Sequence, residues 1–354
     1  MRGLALASRV QAVGGQALLA AVRIDETLRA RAVAGNVTVI SPTELMDVGS
    51  PDDADWLVDQ AGAYDVDWVV TDGYLFDAAY QRTLNAAGVR QLVVDDYGHC
   101  DEYCAEFVLN QNASAAAELY ARRDSRTRLL LGPAYAMLRD EFARSSAPPR
   151  ATVARADNLL VTMGAADDDN VSAVIATAIA QLADPALRVR LVVGPSNRHG
   201  DSLRQQISDS RIELIPATRD MASLMQWADL AISAAGSTSY ELCCMGVPSI
   251  LVIVADNQQG VAGALGAAGA AINVGWHNRL ESSELSATLA RVRADTSLRR
   301  ELAERARSMV DGKGSQRVAA ELQAAIPEDD ATEATTPCAI ESRTATSAPD
   351  IPHT

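Results

Sequence analysis

Short aliphatic and β-branched runs recur along the chain, separated by longer stretches in which apolar residues return every three or four positions. The runs lie at 37–40, 68–70, 91–94, 107–109, 159–162, 191–193, 230–232 and 250–254. Strands that are apolar throughout, rather than alternating, predict parallel sheets covered by helices on both faces. They fall into two groups around Ser145-Ser146-Ala147-Pro148-Pro149-Arg150, a polar, proline-rich hinge. The pattern therefore predicts an α/β chain of two doubly wound, Rossmann-like domains, 1–144 and 151–326, joined by a hinge at 145–150. Ligands of such domains bind outside the carboxyl ends of the strands, here in a cleft expected between the two.

Both ends depart from the pattern. A doubly wound domain opens with a strand, whereas Met1-Arg2-Gly3-Leu4-Ala5-Leu6-Ala7 already reads as helix, amphipathic from Leu4 to Val13. The first strand of the N-terminal domain and its loop are thus expected to be missing. From Pro327 onward the chain is rich in Thr, Ala and acids, and only Arg343 among Lys and Arg is basic. Such a segment buries too little apolar surface to offset its ordering entropy, so 327–354 is expected to be a disordered tail, with Cys338 incidental in it.

A chain of 354 residues that is 48% hydrophobic can bury two cores. Its net charge of −15 removes the electrostatic basis for a sequence-independent grip on nucleic acid, so no nucleic-acid partner is expected. Any anion must be held locally, by backbone and helix ends. Five cysteines, Cys100, Cys104, Cys243, Cys244 and Cys338, are odd in number and include an adjacent pair, which fits a reducing, cytoplasmic setting. No run is long enough for a membrane span, and no signal peptide is legible. His99, Cys100 and Cys104 lack the second half of a zinc motif, so neither a metal nor another cofactor is expected.

Candidate chemistry gathers at strand ends. After the run at 230–232 comes Ala235-Gly236-Ser237-Thr238-Ser239-Tyr240-Glu241. Gly236 lets backbone approach a ligand, and Ser237 and Thr238 offer hydroxyls and free amides at a helix N-terminus, where the dipole favours a diphosphate. Glu241, in the first turn, is placed to accept hydrogen bonds from a ribose. The bland alternative is an ordinary capped helix. Ala255-Asp256-Asn257-Gln258 follows the next run, and its Asn257 and Gln258 can bond sugar or phosphate without adding charge; a turn and helix start would explain them too. Met163-Gly164 opens a third such loop, in which Gly164 is given a ligand contact. The aspartates behind it are read as helix caps, because three carboxylates would repel a diphosphate. In the first domain, Asp72 and Tyr74, with Asp95, Asp96, Tyr97 and His99, bring carboxylate, phenol and imidazole to strand ends, the groups that activate water or protonate a leaving oxygen.

These residues, with Leu109-Asn110-Gln111-Asn112 and the block from Gly132 to Phe142, give the chain a resemblance to a family. It resembles the UDP-2,4-diacetamido-2,4,6-trideoxy-β-L-altropyranose hydrolases of pseudaminic acid biosynthesis, which share the GT-B fold of the lipid II-forming N-acetylglucosaminyltransferase. The resemblance runs from about Met1 to Val274. It implies metal-independent, inverting hydrolysis of a UDP-sugar, with Tyr74 and Asn257 near the reacting sugar and water, Asp72 beside them, and Asn112 among the substrate contacts. In that family a Gly-x-Gly-His-x-x-Arg loop carries the base; Met1-Arg2 aligns with its end and no Gly-His precedes it. Either the chain starts further upstream or it binds without efficient turnover. Gly73 and Ala165-Ala166 are smaller departures. A UDP-sugar hydrolase is thus the leading expectation, beside a GT-B glycosyltransferase and a catalytically impaired nucleotide-sugar-binding protein.

Overall fold

The computed structural model describes residues 2–144, 152–218, 220–326 and 337–342. It divides into two compact units, Met1–Asp140 with Lys313–Thr354, and Glu141–Gly312. The hinge at 145–150 lies outside the described residues.

The first unit contains β1 (Gln16–Ala20), β2 (Thr38–Ile40), β3 (Val69–Asp72), β4 (Gln91–Val94), β5 (Phe107–Asn110) and β6 (Arg128–Leu131). Its helices start where the sequence supplies caps: Asp25 accepts from Leu28 N at 2.8 Å, Asp77 from Tyr80 N at 2.9 Å, and Ser50 precedes a proline at the first helical position. Leu6, Leu19, Val70, Leu92, Val94 and Leu109 form the core on one face of the sheet, and Ala54, Leu57, Tyr80 and Leu84 cover Ala20 and Val69 on the other.

The second unit contains β7 (Asn158–Thr162), β8 (Arg188–Val193), β9 (Ile212–Pro216), β10 (Leu230–Ala234), β11 (Ser249–Ile253) and β12 (Ile272–Trp276), all parallel, in the order β12-β11-β10-β7-β8-β9. β7, β10 and β11 are buried at every position, as strands covered on both faces must be. The order reverses between β7 and β10, which makes the carboxyl ends of these two strands the switch point where doubly wound sheets bind ligands.

The first sheet runs β2-β1-β13-β3-β4-β5-β6, and β13 (Pro337–Ser342) comes from the far end of the chain. It is parallel to both neighbours, with Gln16 opposite Pro337 and Asp72 opposite Ser342. This is the place that the first strand in sequence occupies in a doubly wound sheet. That place is filled here by β13, and the expectation of disorder is corrected for 337–342. Composition argued from side-chain burial, whereas a gap flanked by two strands recruits an extended segment through its rows of backbone donors and acceptors. The remaining tail, 327–336 and 343–354, lies outside the described residues.

The domain boundary shifts as well. The helix Gly314–Ala324, expected in the second domain, packs Val318, Ala319 and Leu322 into the core of the first. A Cβ on Gly314 would lie 2.1 Å from the carbonyl oxygen of Ala136, so only glycine lets this helix seat against the Pro133–Tyr135 turn. Among the described residues no helix is long and apolar enough to cross a membrane.

Candidate functional site

At the switch point of the second unit, β7 ends in Met163-Gly164 and β10 in Ala235-Gly236. Between them lies a cavity of about 300 Å3 whose lining includes Gly164, Gly236, Ser237, Thr238 and Gln258. Five of the seven substrate-binding positions expected from sequence thus meet in one place. The helix Thr238–Met245 begins its hydrogen-bond ladder at Ser239 and Tyr240, whose amides bond to the carbonyls of Gly236 and Ser237 at 3.0 Å. The amides of Gly236, Ser237 and Thr238 lie ahead of that ladder, and the Ser237 side chain makes no cap bond. Gln258 accepts from Val254 N through Oε1 at 3.1 Å, which leaves its Nε2 3.7 Å from where a Cβ on Gly236 would sit. The wall beside Gly236 therefore offers N–H groups with no side chain in the way.

Gly164, at φ +85°, turns the chain out of β7. A Cβ on Gly194, just beyond β8, would lie 2.3 Å from the Gly164 carbonyl and 2.2 Å from that of Ala165, so a second glycine holds this loop down.

Three aspartates also line the cavity, and each is committed. Asp167 caps the next helix, accepting from Val171 N at 2.8 Å and Ser172 N at 3.2 Å. Asp168 pairs with Arg198 at 2.8 Å and Asp169 with His277 at 3.5 Å. The cap role expected of these acids holds for Asp167; Asp168 is instead offset by the Arg198 cation, which weakens its repulsion of an anion. Glu241 and Asn257 are not among the lining residues: Glu241 sits on the helix behind the turn and Asn257 is exposed on the Asp256–Gln258 turn.

The first unit gathers charge at the carboxyl ends of β3, β4 and β5. The Arg2 guanidinium is gripped by two carboxylates, bonding Asp72 through Nε at 3.0 Å and Nη2 at 2.8 Å, and Asp96 through Nη1 at 2.8 Å and Nη2 at 3.0 Å. Tyr74 donates its hydroxyl to Asp96 at 2.7 Å, and Asn112 donates its amide to the same carboxylate at 2.9 Å. Asp72, Tyr74 and Asn112, separated in sequence, therefore converge on one hub. Burial alone would raise the Asp96 carboxyl, but Arg2 and the donors around it hold it below the usual range. Burial and the adjacent Asp96 carboxylate push the Tyr74 phenol upward, so it is a donor here and not a base.

Behind the hub, Asp95 is fully buried and accepts from the amides of Tyr97, Gly98 and His99, from His99 Nδ1 at 3.1 Å and from the Tyr103 hydroxyl. Burial works against the charged form of His99, but its bond to Asp95 outweighs this and pushes its pKa up to about 10. At neutral pH its ring is a cation and cannot act as a base. Among the described residues no cluster of His, Cys, Asp and Glu could hold a metal.

Comparison with known proteins places the second unit. Residues 158–321 match the glycosyltransferase family 28 C-terminal domain. The chain is 32% identical over 200 residues to the spore coat polysaccharide biosynthesis protein SpsG of Bacillus subtilis, an alignment covering 56% of this chain and 58% of that protein. It is 33% identical over 195 residues to the UDP-N-acetylglucosamine--N-acetylmuramyl-(pentapeptide) pyrophosphoryl-undecaprenol N-acetylglucosamine transferase of Burkholderia ambifaria, covering 51% of this chain and 52% of that one. The chain thus spans little more than half the length of these relatives. Among solved structures, MurG of Acinetobacter baumannii superposes with a TM-score of 0.65 at 17% identity, over 91% of this chain and 95% of that one. Anabaena Alr3699/HepE in complex with UDP and glucose gives 0.62 at 14% identity, over 92% and 96%. The fold is GT-B. The narrower resemblance, to pseudaminic acid hydrolases, is not what these likenesses single out; they run to SpsG and to transferases.

Within the second unit, the strand-end glycines are the legible signal. What sequence reasoning missed lies in the first unit: Arg2 was read as an amphipathic-helix residue, and its partners stand 70 and 94 positions away. The sequence pairs aspartates 95 and 96 without distinguishing the structural anchor, Asp95, from the hub, Asp96.

Proposed function

We propose that the chain binds a UDP-sugar through its family 28 C-terminal domain and transfers the glycosyl group to an acceptor. The observation that carries this reading is the turn at Gly236, where three amides lie ahead of a helix ladder, two hydroxyls flank them and no side chain blocks the approach. Amides held in place at that turn stabilise a diphosphate as it departs with its charge. The transferases among the relatives support the same direction.

A second reading keeps water as the acceptor. It is favoured by the convergence of Asp72, Tyr74 and Asn112 on Asp96, since these are residues that the hydrolase resemblance places on the sugar side. Against it stands the protonation of the cluster: Tyr74 and His99 hold their protons, and Asp96 is tied to Arg2, so none of the three is free to take a proton from water.

Incubating the purified chain with UDP-N-acetylglucosamine and UDP-glucose, with and without candidate acceptors, separates the readings. UDP release only when an acceptor is present supports transfer, whereas release with free sugar and no acceptor supports hydrolysis. UDP binding with no release under either condition overturns both and leaves a nucleotide-sugar-binding protein.

A further inference from the structure

Cys100, His99 and Asp95 form a relay that neither the Gly236 turn nor the Arg2 hub uses. Asp95 holds His99 through Nδ1 at 3.1 Å, and the other ring nitrogen, Nε2, lies 3.1 Å from Cys100 Sγ. The imidazolium donates from both nitrogens, so it bridges carboxylate and sulfur. The His99 side chain is only 5% exposed and that of Asp95 is fully buried, whereas Cys100 is half-buried. The sulfur is thus the end of the relay that solvent reaches.

A second N–H group points at the same sulfur. Gln81, on the helix Ala78–Ala86, donates to Cys100 Sγ through Nε2 at 3.4 Å. Its amide cannot be turned the other way, because Oε1 accepts from Cys104 N at 2.8 Å. The Phe76 carbonyl, 3.4 Å from the sulfur, accepts the thiol proton. Cys100 also packs beside Val93, Tyr103 and Tyr120, and a cysteine that only filled this core would need no donors. A neutral thiol is a weak acceptor; two N–H groups, one of them charged, stabilise the negative charge that gathers on sulfur as its proton leaves. Cys104 provides the contrast on the same stretch of chain. It is half-buried too, but burial and the Glu102 carboxylate push its thiol up, with Arg82 acting in the other direction.

We propose that Cys100 is a nucleophilic thiol and a modification site for small disulfides, activated by the His99 imidazolium, with Asp95 and Gln81 as positioning residues. The sulfur releases its proton to solvent and attacks one sulfur of the disulfide. A new S–S bond forms as the old one breaks, and the departing thiolate takes up a proton from solvent. Cys100 is thereby oxidised to a mixed disulfide, and one half of the reagent is reduced to a thiol. This chemistry is independent of any nucleotide sugar.

Timed labelling of the reduced full chain at pH 7 tests this, with oxidised glutathione and, in parallel, with iodoacetamide, whose adduct cannot exchange between thiols. Acid quenching and peptide mass mapping then give a rate for each cysteine. Cys100 is expected to react about tenfold faster than Cys104 with both reagents. In His99→Gln the Cys100 rate should fall about tenfold while Cys104 keeps its wild-type rate, a pattern that general loosening of the fold would not give, since it would speed both. Equal rates at the two cysteines of the wild type overturn the proposal, and that comparison stands even if His99→Gln does not fold. A Cys100 rate at the wild-type level in folded His99→Gln overturns it as well, because it leaves the imidazolium no part in the reaction.

Discussion

The two strand-end clusters are built on opposite principles. In the second unit the cavity wall at Gly236 presents donors that no described residue has claimed, and the carboxylates around it have partners in Arg198, His277 and helix amides. In the first unit the groups satisfy one another: Arg2 lies between Asp72 and Asp96, and Asp95 is surrounded by five donors. An anion entering the Arg2 cluster must displace bonds already made, whereas one entering at the Gly236 turn meets amides ahead of the helix ladder. The lesson is that charged residues at a strand end are poorer evidence of a binding site than an empty glycine turn, because buried charges need partners whether or not a ligand exists.

That contrast can be broken by substitution. Arg2→Ala strands the buried Asp72 carboxylate and takes the cation from half-buried Asp96, and the first unit is expected to lose about 3–5 kcal/mol, read by chemical denaturation. A loss under about 1 kcal/mol would mean that the cluster is not a structural anchor. Gly236→Asp puts a carboxylate where the phosphates are proposed to sit, and the site has room for its Cβ. Stability is expected to stay close to wild type while UDP affinity falls on the order of a hundredfold, about 2.8 kcal/mol at 1.4 kcal/mol per decade. Glu241→Ala sharpens the boundary of the site. If this carboxylate reaches the ribose from behind the turn, UDP binding weakens by roughly 1.5–3 kcal/mol; unchanged affinity removes it from the site, as its absence from the cavity lining suggests.

The last test is of pH dependence. The folded-state pKa of His99 lies above its unfolded value of about 6.5, so the stability it contributes is fully present below that pH and is lost as the pH rises toward about 10. Denaturation midpoints of the wild type should decline over that window, and the decline should flatten in His99→Gln. Asp95 and Asp96 act in the reverse sense: their carboxyls are depressed, so their contribution persists through the acidic range and fades only below ordinary aspartate values. A wild-type stability that rises between pH 6.5 and 10 would contradict the His99–Asp95 pairing.

Much of the architecture was legible because parallel strands announce themselves as apolar runs: β7, β8, β10 and β11 fall where the pattern put them. The strands that escaped largely lack that signature, and β6, Arg-Leu-Leu-Leu, has no β-branched residue. β1 is Gln-Ala-Leu-Leu-Ala, with no β-branched residue, and reads on from the preceding helix. β9 ends in a proline, and β12 contains a glycine and is only partly buried. β13 and the placement of the helix Gly314–Ala324 were not readable locally, because each is decided by a partner elsewhere in the sequence. The site divides the same way. Gly164, Gly236, Ser237, Thr238 and Gln258 follow strands and share one edge by topology alone, whereas the bond from Arg2 to Asp96 depends on tertiary closure.

A crystal structure with UDP bound tests the central claim most directly. The diphosphate oxygens should lie within about 3 Å of the amides of Ser237 and Thr238, with Gly236 and Gln258 closing around them. Nucleotide density elsewhere on the molecule, with the Gly236 turn left to solvent, would contradict it.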